Sequence, residues 1–331
     1  DAGADGTDVN TVGMGINITN CRNVLVDGNT VTGSNSNGIF SYDGANYHMT
    51  NIVISNNDIS GVVKTGMSCI HLFEIDSGSI TNNHCHDNVD NAAGSNAIYT
   101  RGVDGNDYTS LLIDGNYGTG ITGVGNETQS GNVTISNNNF TFTGAGTDCN
   151  GAFIGSVSDV TLRNNVYTSV TGGGHGVLIY PAVSNITIDS NKFINVGNSG
   201  VRGFNTTSWD NVVIKNNVIY DNPSSPTMDY GIYVNVSSGT ITNTSFYNNT
   251  ISGGVGVYIS GGTNAINIKN NIISTGTGLK ALNVPTGTVS DYNCLYPEAA
   301  NYITYGGTNY STLALYAAGK SQDTHSISSD P

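Results

Sequence analysis

The sequence predicts an all-β protein made of stacked coils, a parallel β-helix (solenoid) of about 10–11 coils with an asparagine ladder. Its polar surface comes mainly from residues that are poor helix formers, since 47 Asn and 44 Gly stand against 10% charged residues. One short strand phrase returns along most of the chain at intervals of 22 to 33 residues. No segment of helical periodicity separates the copies, which excludes alternating βαβ units.

The repeated phrase is an alternating apolar strand, an asparagine, and another apolar residue two positions later. Typical copies are NVLVDGNTV, NIVISNNDI and NVVIKNNVI. A fixed phrase at a variable spacing indicates one coil per repeat, with loop insertions in some coils. In coils stacked at roughly 4.8 Å, each asparagine is expected to hydrogen-bond its copies above and below. The predicted ladder residues are Asn29, Asn57, Asn83, Asn116, Asn138, Asn165, Asn191, Asn217, Asn249, Asn271 and Asn293.

A second strand phrase, such as NGIFSY or HGVLIY, follows in most coils and divides core from surface by alternation. The predicted inward residues are Ile39, Ile70, Ile98, Val177, Val201, Ile232 and Val257. One outward column is predicted to contain Phe40, His71, Tyr99, Thr122, Ile154, Leu178, Arg202, Tyr233 and Tyr258. Two positions on, a second is predicted to contain Tyr42, Phe73, Arg101, Val124, Ser156, Tyr180, Phe204, Asn235 and Ser260.

These columns are unusually rich in aromatic residues and arginine for a surface so poor in charge. Aromatic faces suit sugar rings, and arginine suits carboxylates, so the face is interpreted as a glycan-binding groove. The alternative is that loop insertions cover these rings as a satellite core. The predicted substrate-binding residues are Tyr42, Phe73, Tyr180, Phe204, Tyr233 and Tyr258.

The repeat resembles the right-handed parallel β-helix of the pectate-lyase-like superfamily over roughly residues 13–298. That resemblance implies the right-handed coil and a scaffold that hosts lyases, hydrolases, epimerases, tailspikes and adhesins. We therefore divide the chain into a β-helix, residues 1–298, and a non-repeat tail, residues 299–331, with one helix-compatible stretch, STLALYAAGK. The tail resembles a C-terminal segment of secreted bacterial β-helix proteins, which implies that the chain is part of a longer polypeptide.

The first candidate site spans three consecutive coils and contains Asp43, His71, Glu74, Tyr99 and Arg101. The two carboxylates occupy equivalent positions one coil apart, about 5 Å, which suits a retaining acid pair or two ligands of one Ca²⁺. Alternatively, Tyr99 or His71 abstracts a proton α to a uronate carboxylate that Arg101 neutralises. A stacked polar ladder in which Arg101 pairs with Glu74 is the structural alternative.

The second candidate site is Asp148, His175 and Arg202 on successive coils. The segments TDCNGAF, GGGHGVLIYP and NSGVRGF resemble motifs of the polygalacturonase family. That resemblance implies an acid and base role for Asp148 and uronate binding for His175 and Arg202. The sequence departs from that family in two places. The preceding coil lacks the first aspartate, and Phe204 stands where the family has lysine.

The word HCHD is predicted not to be a metal site. Cys85 falls on an inward position, which leaves His84 and His86 without a clear third ligand.

The overall prediction is an extracellular or cell-surface protein that binds an extended, uronate-containing polysaccharide and cleaves it by β-elimination or hydrolysis. The alternative is a non-enzymatic, adhesin-like structural β-helix. A net charge of −14 makes a nucleic-acid partner unexpected, and no apolar run approaches the roughly 20 residues of a membrane span. No organic cofactor is expected, and Asp43 and Glu74 are the candidate calcium ligands.

Overall fold

The computed structural model describes most of the chain. The described residues are 13–42, 49–62, 67–73, 75–88, 96–101, 110–119, 122–127, 131–142, 149–170, 172–221, 228–261, 263–276 and 278–331.

The chain forms a parallel β-helix in which each coil contributes three strands. We call them the front strand, the ladder strand, which precedes the ladder asparagine, and the third strand. Front and ladder strands belong to one sheet, described with 22 strands, and third strands form another, described with 11. The described part of the chain also contains one helix, Leu313–Lys320.

The bounds follow the order of the chain. The front strands are Ile16–Thr19, Ile39–Tyr42, Ile70–Phe73, Asn96–Arg101, Thr122–Glu127, Asn150–Gly155, His175–Tyr180, Val255–Ser260, Leu282–Val284 and Ile303–Tyr305. The ladder strands are Val24–Asp27, Ile52–Ser55, Ser77–Thr81, Ser110–Asp114, Val133–Ser136, Ser158–Arg163, Ala182–Asp189, Thr263–Lys269 and Val289–Asp291. In two coils the front and ladder strands run together, as Ser199–Lys215 and Tyr230–Tyr247. The third strands are Thr30–Thr32, Asp58–Ser60, His84–His86, Tyr117–Thr119, Asn139–Phe142, Val166–Ser169, Lys192–Ile194, Val218–Tyr220, Thr250–Ser252, Ile272–Ser274 and Cys294–Tyr296. The strand Thr308–Tyr310 pairs antiparallel with Ile303–Tyr305.

Consecutive coils pair in parallel with like residues facing like. Ile39 pairs with Ile70, and Ile70 with Ile98, and all three are fully buried. The other predicted inward residues, Val177, Val201, Ile232 and Val257, are buried as well, which confirms the alternation. Each such side chain contributes about 1.5–3 kcal/mol on burial, so the core is a column repeated along the rod.

The predicted outward columns were wrong in two coils. Val124 pairs with Ile98 and Ile154 pairs with Ile179, and both are buried. The outward positions of these coils belong instead to Gly125 and Phe153. In the coil of Ile154, the inward position before it holds the small residue Ala152, which the apolar pattern did not distinguish from a surface position.

All eleven predicted ladder asparagines form the ladder. The backbone N–H and the Nδ2 of Asn57 both donate to Oδ1 of Asn83, at 3.0 and 2.9 Å, and this pattern repeats from Asn29 to Asn293. Nδ2 of Asn57 also donates to the carbonyl oxygen of Val26 in the preceding coil. Each interior asparagine therefore connects three coils and satisfies polar groups that the core would otherwise leave unpaired.

The residue before each ladder asparagine has a left-handed backbone conformation. Its φ is 54° at Asn56, 56° at Asn164 and 67° at Gly28, and every described coil from Gly28 to Tyr292 repeats the conformation. Asparagine and glycine tolerate this region better than other residues, which explains why the phrase so often reads Asn-Asn or Gly-Asn.

The tail packs on the last coil and completes its hydrogen bonds. Asn293 donates from its backbone N–H to Ser326 Oγ at 2.7 Å and from Nδ2 to Asp323 Oδ1 at 2.9 Å. Asp323 thus occupies the place of the next ladder residue, and burial raises the pKa of its carboxyl. Leu313 and Tyr316 of the helix join the core. A capped end of this kind is what a solenoid requires to cover its last coil.

We predict that Asn165→Ala destabilises the protein by on the order of 3 kcal/mol. The change removes the acceptor of two donors from Asn138 and the amide that donates to Ile135, which leaves buried polar groups unpaired. Urea unfolding followed by circular dichroism measures it. Asn164→Gly is the matched control, because Asn164 is exposed and glycine adopts its φ of 56° without strain. A loss below about 1 kcal/mol in Asn165→Ala would contradict the account.

Candidate functional site

The outward side chains of the front strands form one continuous surface, the aromatic face. It contains two clusters that the register of the coils brings together. The N-terminal cluster is Phe40, His71, Phe73, Tyr99 and Arg101. The C-terminal cluster is His175, Tyr180, Arg202, Phe204, Tyr230, Tyr233 and Tyr258.

His71 lies at the centre of the N-terminal cluster. Its ring centroid is 4.2 Å from that of Phe73, 4.7 Å from Tyr99 and 5.5 Å from Phe40. The Arg101 guanidinium lies 6.0 Å from the Phe73 ring. The predicted association of His71, Tyr99 and Arg101 is therefore present, although the rings enclose His71 more closely than an open groove would.

His71 is a neutral imidazole at physiological pH. Burial, helped by the charge of Arg101, lowers its pKa to about 4. Nδ1 lies 3.3 Å from Asn37 Oδ1, an acceptor, which places the proton on Nδ1. Nε2 is buried and has no hydrogen-bond partner in the described part of the chain. Its lone pair is therefore unpaired but enclosed by the surrounding rings.

Arg202 organises the C-terminal cluster. Its guanidinium lies 4.8 Å from the Phe204 ring and 5.4 Å from the Tyr233 ring. Tyr180 stacks on Phe204 at 5.9 Å, and Tyr233 contacts Tyr258 edge-to-face at 5.3 Å. Arg202 forms no ion pair within 4.0 Å among the described residues, although the Asp229 carboxyl is close enough to interact with it electrostatically, and Arg202 Nε is buried without a described partner. Rings rather than a described carboxylate therefore hold this guanidinium in place.

His175 supports Arg202 from below and is itself only 2% exposed. Arg202 Nη1 donates to His175 Nε2 at 3.2 Å, which requires a neutral imidazole with its proton on Nδ1. Burial and the charge of Arg202 lower the pKa of His175 to about 3. The structure therefore brings His175 and Arg202 into contact, with Arg202 as the residue that reaches the surface.

The sequence did not single out Tyr230 or Asp229. The Tyr230 ring stacks on Tyr233 at 4.6 Å, and the Asp229 carboxyl, whose pKa partial burial raises, lies within the electrostatic influence of Arg202. Tyr230 pairs with Ser199, which in turn pairs with His175. Its only sequence signal was its position directly before Gly231, at the start of the strand Tyr230–Tyr247.

The two clusters are separated along the rod. Tyr99 and Arg202 belong to one outward column, with Gly125, Phe153 and Leu178 between them. Four steps of about 4.8 Å place the clusters roughly 19 Å apart. Of the other predicted binding residues, Tyr42 is 48% exposed and Tyr180 is 38% exposed.

Three predicted site residues, Asp43, Glu74 and Asp148, lie outside the described residues. The calcium site and the acid pair predicted for the first two therefore remain predictions.

On the other sheet, the structure adds a neighbouring carboxylate to the two histidines of the HCHD segment. Cys85 is fully buried, as predicted. His84 and His86 do have a third ligand nearby, because Asp58 on the preceding coil lies 3.0 Å from a ring nitrogen of each. No local sequence pattern indicates this neighbour, because Asp58 is 26 residues before His84.

The sequence matches the family described as the right handed beta helix region over residues 14–193 and 199–311. This chain belongs to the right-handed β-helix family. The match covers most of the coils described above and confirms the predicted fold and hand. No curated protein matches the sequence.

Two solved structures share this β-helix fold. Both are of gene product 12 of bacteriophage phi29, one the pre-mature protein and the other an N-terminal fragment. The first is 17% identical with a TM-score of 0.56, and the second is 18% identical with a TM-score of 0.55. Each match covers 90% of this chain and 43% or 54% of the phage chain. This chain thus spans about half the length of its structural neighbours, and the likeness concerns the fold.

The β-helix has no membrane-spanning helix among its described residues.

We predict that His71 makes stability pH-dependent in the acid range. Its folded pKa of about 4 lies below the ordinary 6.5, so the unfolded chain takes up a proton first. The contribution of His71 to the free energy of unfolding is fully present above pH 6.5. It is lost as the pH falls toward 4, by up to about 1.4 kcal/mol per pH unit. His71→Phe should flatten the slope of unfolding free energy between pH 6 and 4.5. His325→Gln, which changes an exposed histidine, is the control; an unchanged slope in His71→Phe would refute the assignment.

Proposed function

We propose that this β-helix is a secreted or cell-surface protein that binds an extended, uronate-containing polysaccharide along its aromatic face. The observation that carries the proposal is the Arg202 guanidinium, held between Phe204 and Tyr233 with no described carboxylate as a partner. Tyrosine and phenylalanine rings pack on the apolar faces of sugars, while a guanidinium fork binds a carboxylate. The two chemistries together suit a sugar acid.

The length of the face supports an extended ligand. Both clusters lie on front strands of one sheet, roughly 19 Å apart, each with its own arginine. Parallel strands locked by the ladder hold this surface rigid, so little conformational entropy is lost when a chain binds. The net charge of −14 repels a polyanion at long range, so binding depends on the local arginines.

The binding test compares acidic and neutral forms of one polymer. Polygalacturonate and its methyl ester differ only in charge, and affinity electrophoresis measures both. Tyr233→Ala should weaken binding of both by about tenfold, since it removes a stacking ring. Arg202→Gln should weaken the acidic polymer alone.

Tyr292→Ala is the matched control. Tyr292 is an exposed tyrosine that stacks on His325 at 4.7 Å, away from the front strands. Equal losses in all three variants, or none, would remove the aromatic face as the binding surface.

Cleavage by β-elimination is the second candidate function, and the association of His71, Tyr99 and Arg101 on adjacent coils favours it. In this reaction Tyr99 or His71 takes the proton α to the uronate carboxylate while Arg101 neutralises that carboxylate. The bond to the β oxygen breaks, its electron pair leaves with the oxygen, and water protonates the leaving group. The products are an unsaturated uronate and a new reducing end.

We predict that a lyase activity, measured on polygalacturonate and alginate, produces ultraviolet absorbance and reducing ends together. His71→Gln should then lower kcat by at least 100-fold, because the base is lost. Reducing ends without absorbance would indicate hydrolysis and exclude His71 as the base. Binding without any cleavage would leave polysaccharide recognition alone, and the absence of both would favour a structural β-helix.

A further inference from the structure

We propose that Asp58, His84 and His86 form a binding site for a divalent transition-metal ion of the zinc class. The three residues lie on the third-strand sheet, apart from the aromatic face, so the site is independent of the proposed function. Asp58 Oδ1 is 3.0 Å from His84 Nδ1 and 3.0 Å from His86 Nε2, and the three atoms all lie within 4.8 Å of one another.

The fold places these side chains together through register. Asp58 pairs with His84, and Ser60 with His86, in adjacent parallel strands. Alternation sends His84 and His86 outward and Cys85 into the core, so the two imidazoles share one face. One extra residue in either strand would shift this register and separate Asp58 from the two histidines.

The distances suit a small cation. Ligand atoms about 2.1 Å from a tetrahedral zinc lie roughly 3.4 Å apart, close to the separations around Asp58 Oδ1. Two imidazoles and one carboxylate are a donor set that zinc and neighbouring ions prefer over calcium or magnesium. Three protein ligands leave at least one coordination position for water or an external ligand.

A second carboxylate supports His86 as a ligand. Asp87 Oδ2 lies 2.7 Å from His86 Nδ1, on the opposite side of the ring from Asp58. A carboxylate that accepts the remaining ring proton is the usual neighbour of a metal-bound histidine and orients the ring. Asp87 is therefore a positioning residue in this site.

The neighbouring ring of Tyr117 holds His84. Its centroid lies 4.4 Å from that of His84 with planes inclined by 16°, and His86 stacks on the other side at 4.3 Å and 19°. Because the two imidazoles are nearly parallel, a bound ion enters both ring planes only when His86 turns. The Asp87 side chain is 82% exposed and can follow that turn.

The experiment titrates Zn²⁺ alone into the full chain, after dialysis against a chelator, and follows the heat. Co²⁺ is the spectroscopic probe, since its visible bands report ligand number. The expected result is one site per chain at micromolar concentration. Asp58→Asn and His84→Gln should each weaken binding by at least about 100-fold, and Asp87→Asn by about 10-fold.

The control is His325→Gln. His325 Nδ1 lies 2.8 Å from Asp291 Oδ2, the same pair without a second imidazole, so its loss should leave binding unchanged. Absence of saturable Zn²⁺ binding, or wild-type affinity in Asp58→Asn and His84→Gln, would overturn the site.

Circular dichroism in chelator establishes whether each variant is folded. If a variant is not folded, nuclear magnetic resonance of the unaltered chain provides the test. Zn²⁺ should shift the ring signals of His84 and His86, and a shift confined to other histidines would overturn the proposal.

Discussion

The ladder of asparagines is the interaction on which the rest of the structure depends. Each asparagine satisfies a backbone amide, a side-chain amide and a carbonyl from neighbouring coils, at a turn where the core would otherwise bury them unpaired. Since the ladder Oδ1 accepts two donors at once, it fixes both the height and the rotation of one coil relative to the next. Loops between coils vary in length, yet every coil returns to the same phase.

That phase determines what meets on the surface. Once Ile39, Ile70 and Ile98 are stacked inside, Phe40, His71 and Tyr99 are stacked outside. Aromatic rings then enclose two histidines, and burial beside an arginine keeps both neutral. The same rule on the other sheet places an aspartate under a histidine and a tyrosine above it. Columns of chemically useful residues are thus a direct consequence of parallel, in-register stacking.

The β-helix fold does not by itself determine the chemistry of its surface. The right-handed β-helix is shared with phi29 gene product 12, at an identity that speaks only for architecture. The proposed binding of a sugar acid rests on Arg202 and the rings around it, which belong to this chain. Arg202 is distinctive because its hydrogen-bond acceptor, His175 Nε2, is neutral and leaves the charge of the guanidinium uncompensated. A guanidinium supported in this way retains its capacity for an external anion.

Sequence alone determined the repeat, the ladder residues and the inward column, because each depends on one residue type at a local position. Asn165 is recognisable by its own phrase, and Ile98 by the alternation around it. The tertiary structure alone decided which residues become neighbours across coils. Asp58 lies 26 residues before His84, and Tyr230 joins a cluster through its pairing with Ser199. Ile154, predicted on the surface, lies in the core because it pairs with Ile179. These contacts depend on the register between coils, and register depends on the length of intervening loops and on a hydrogen-bonded ladder that no single repeat contains.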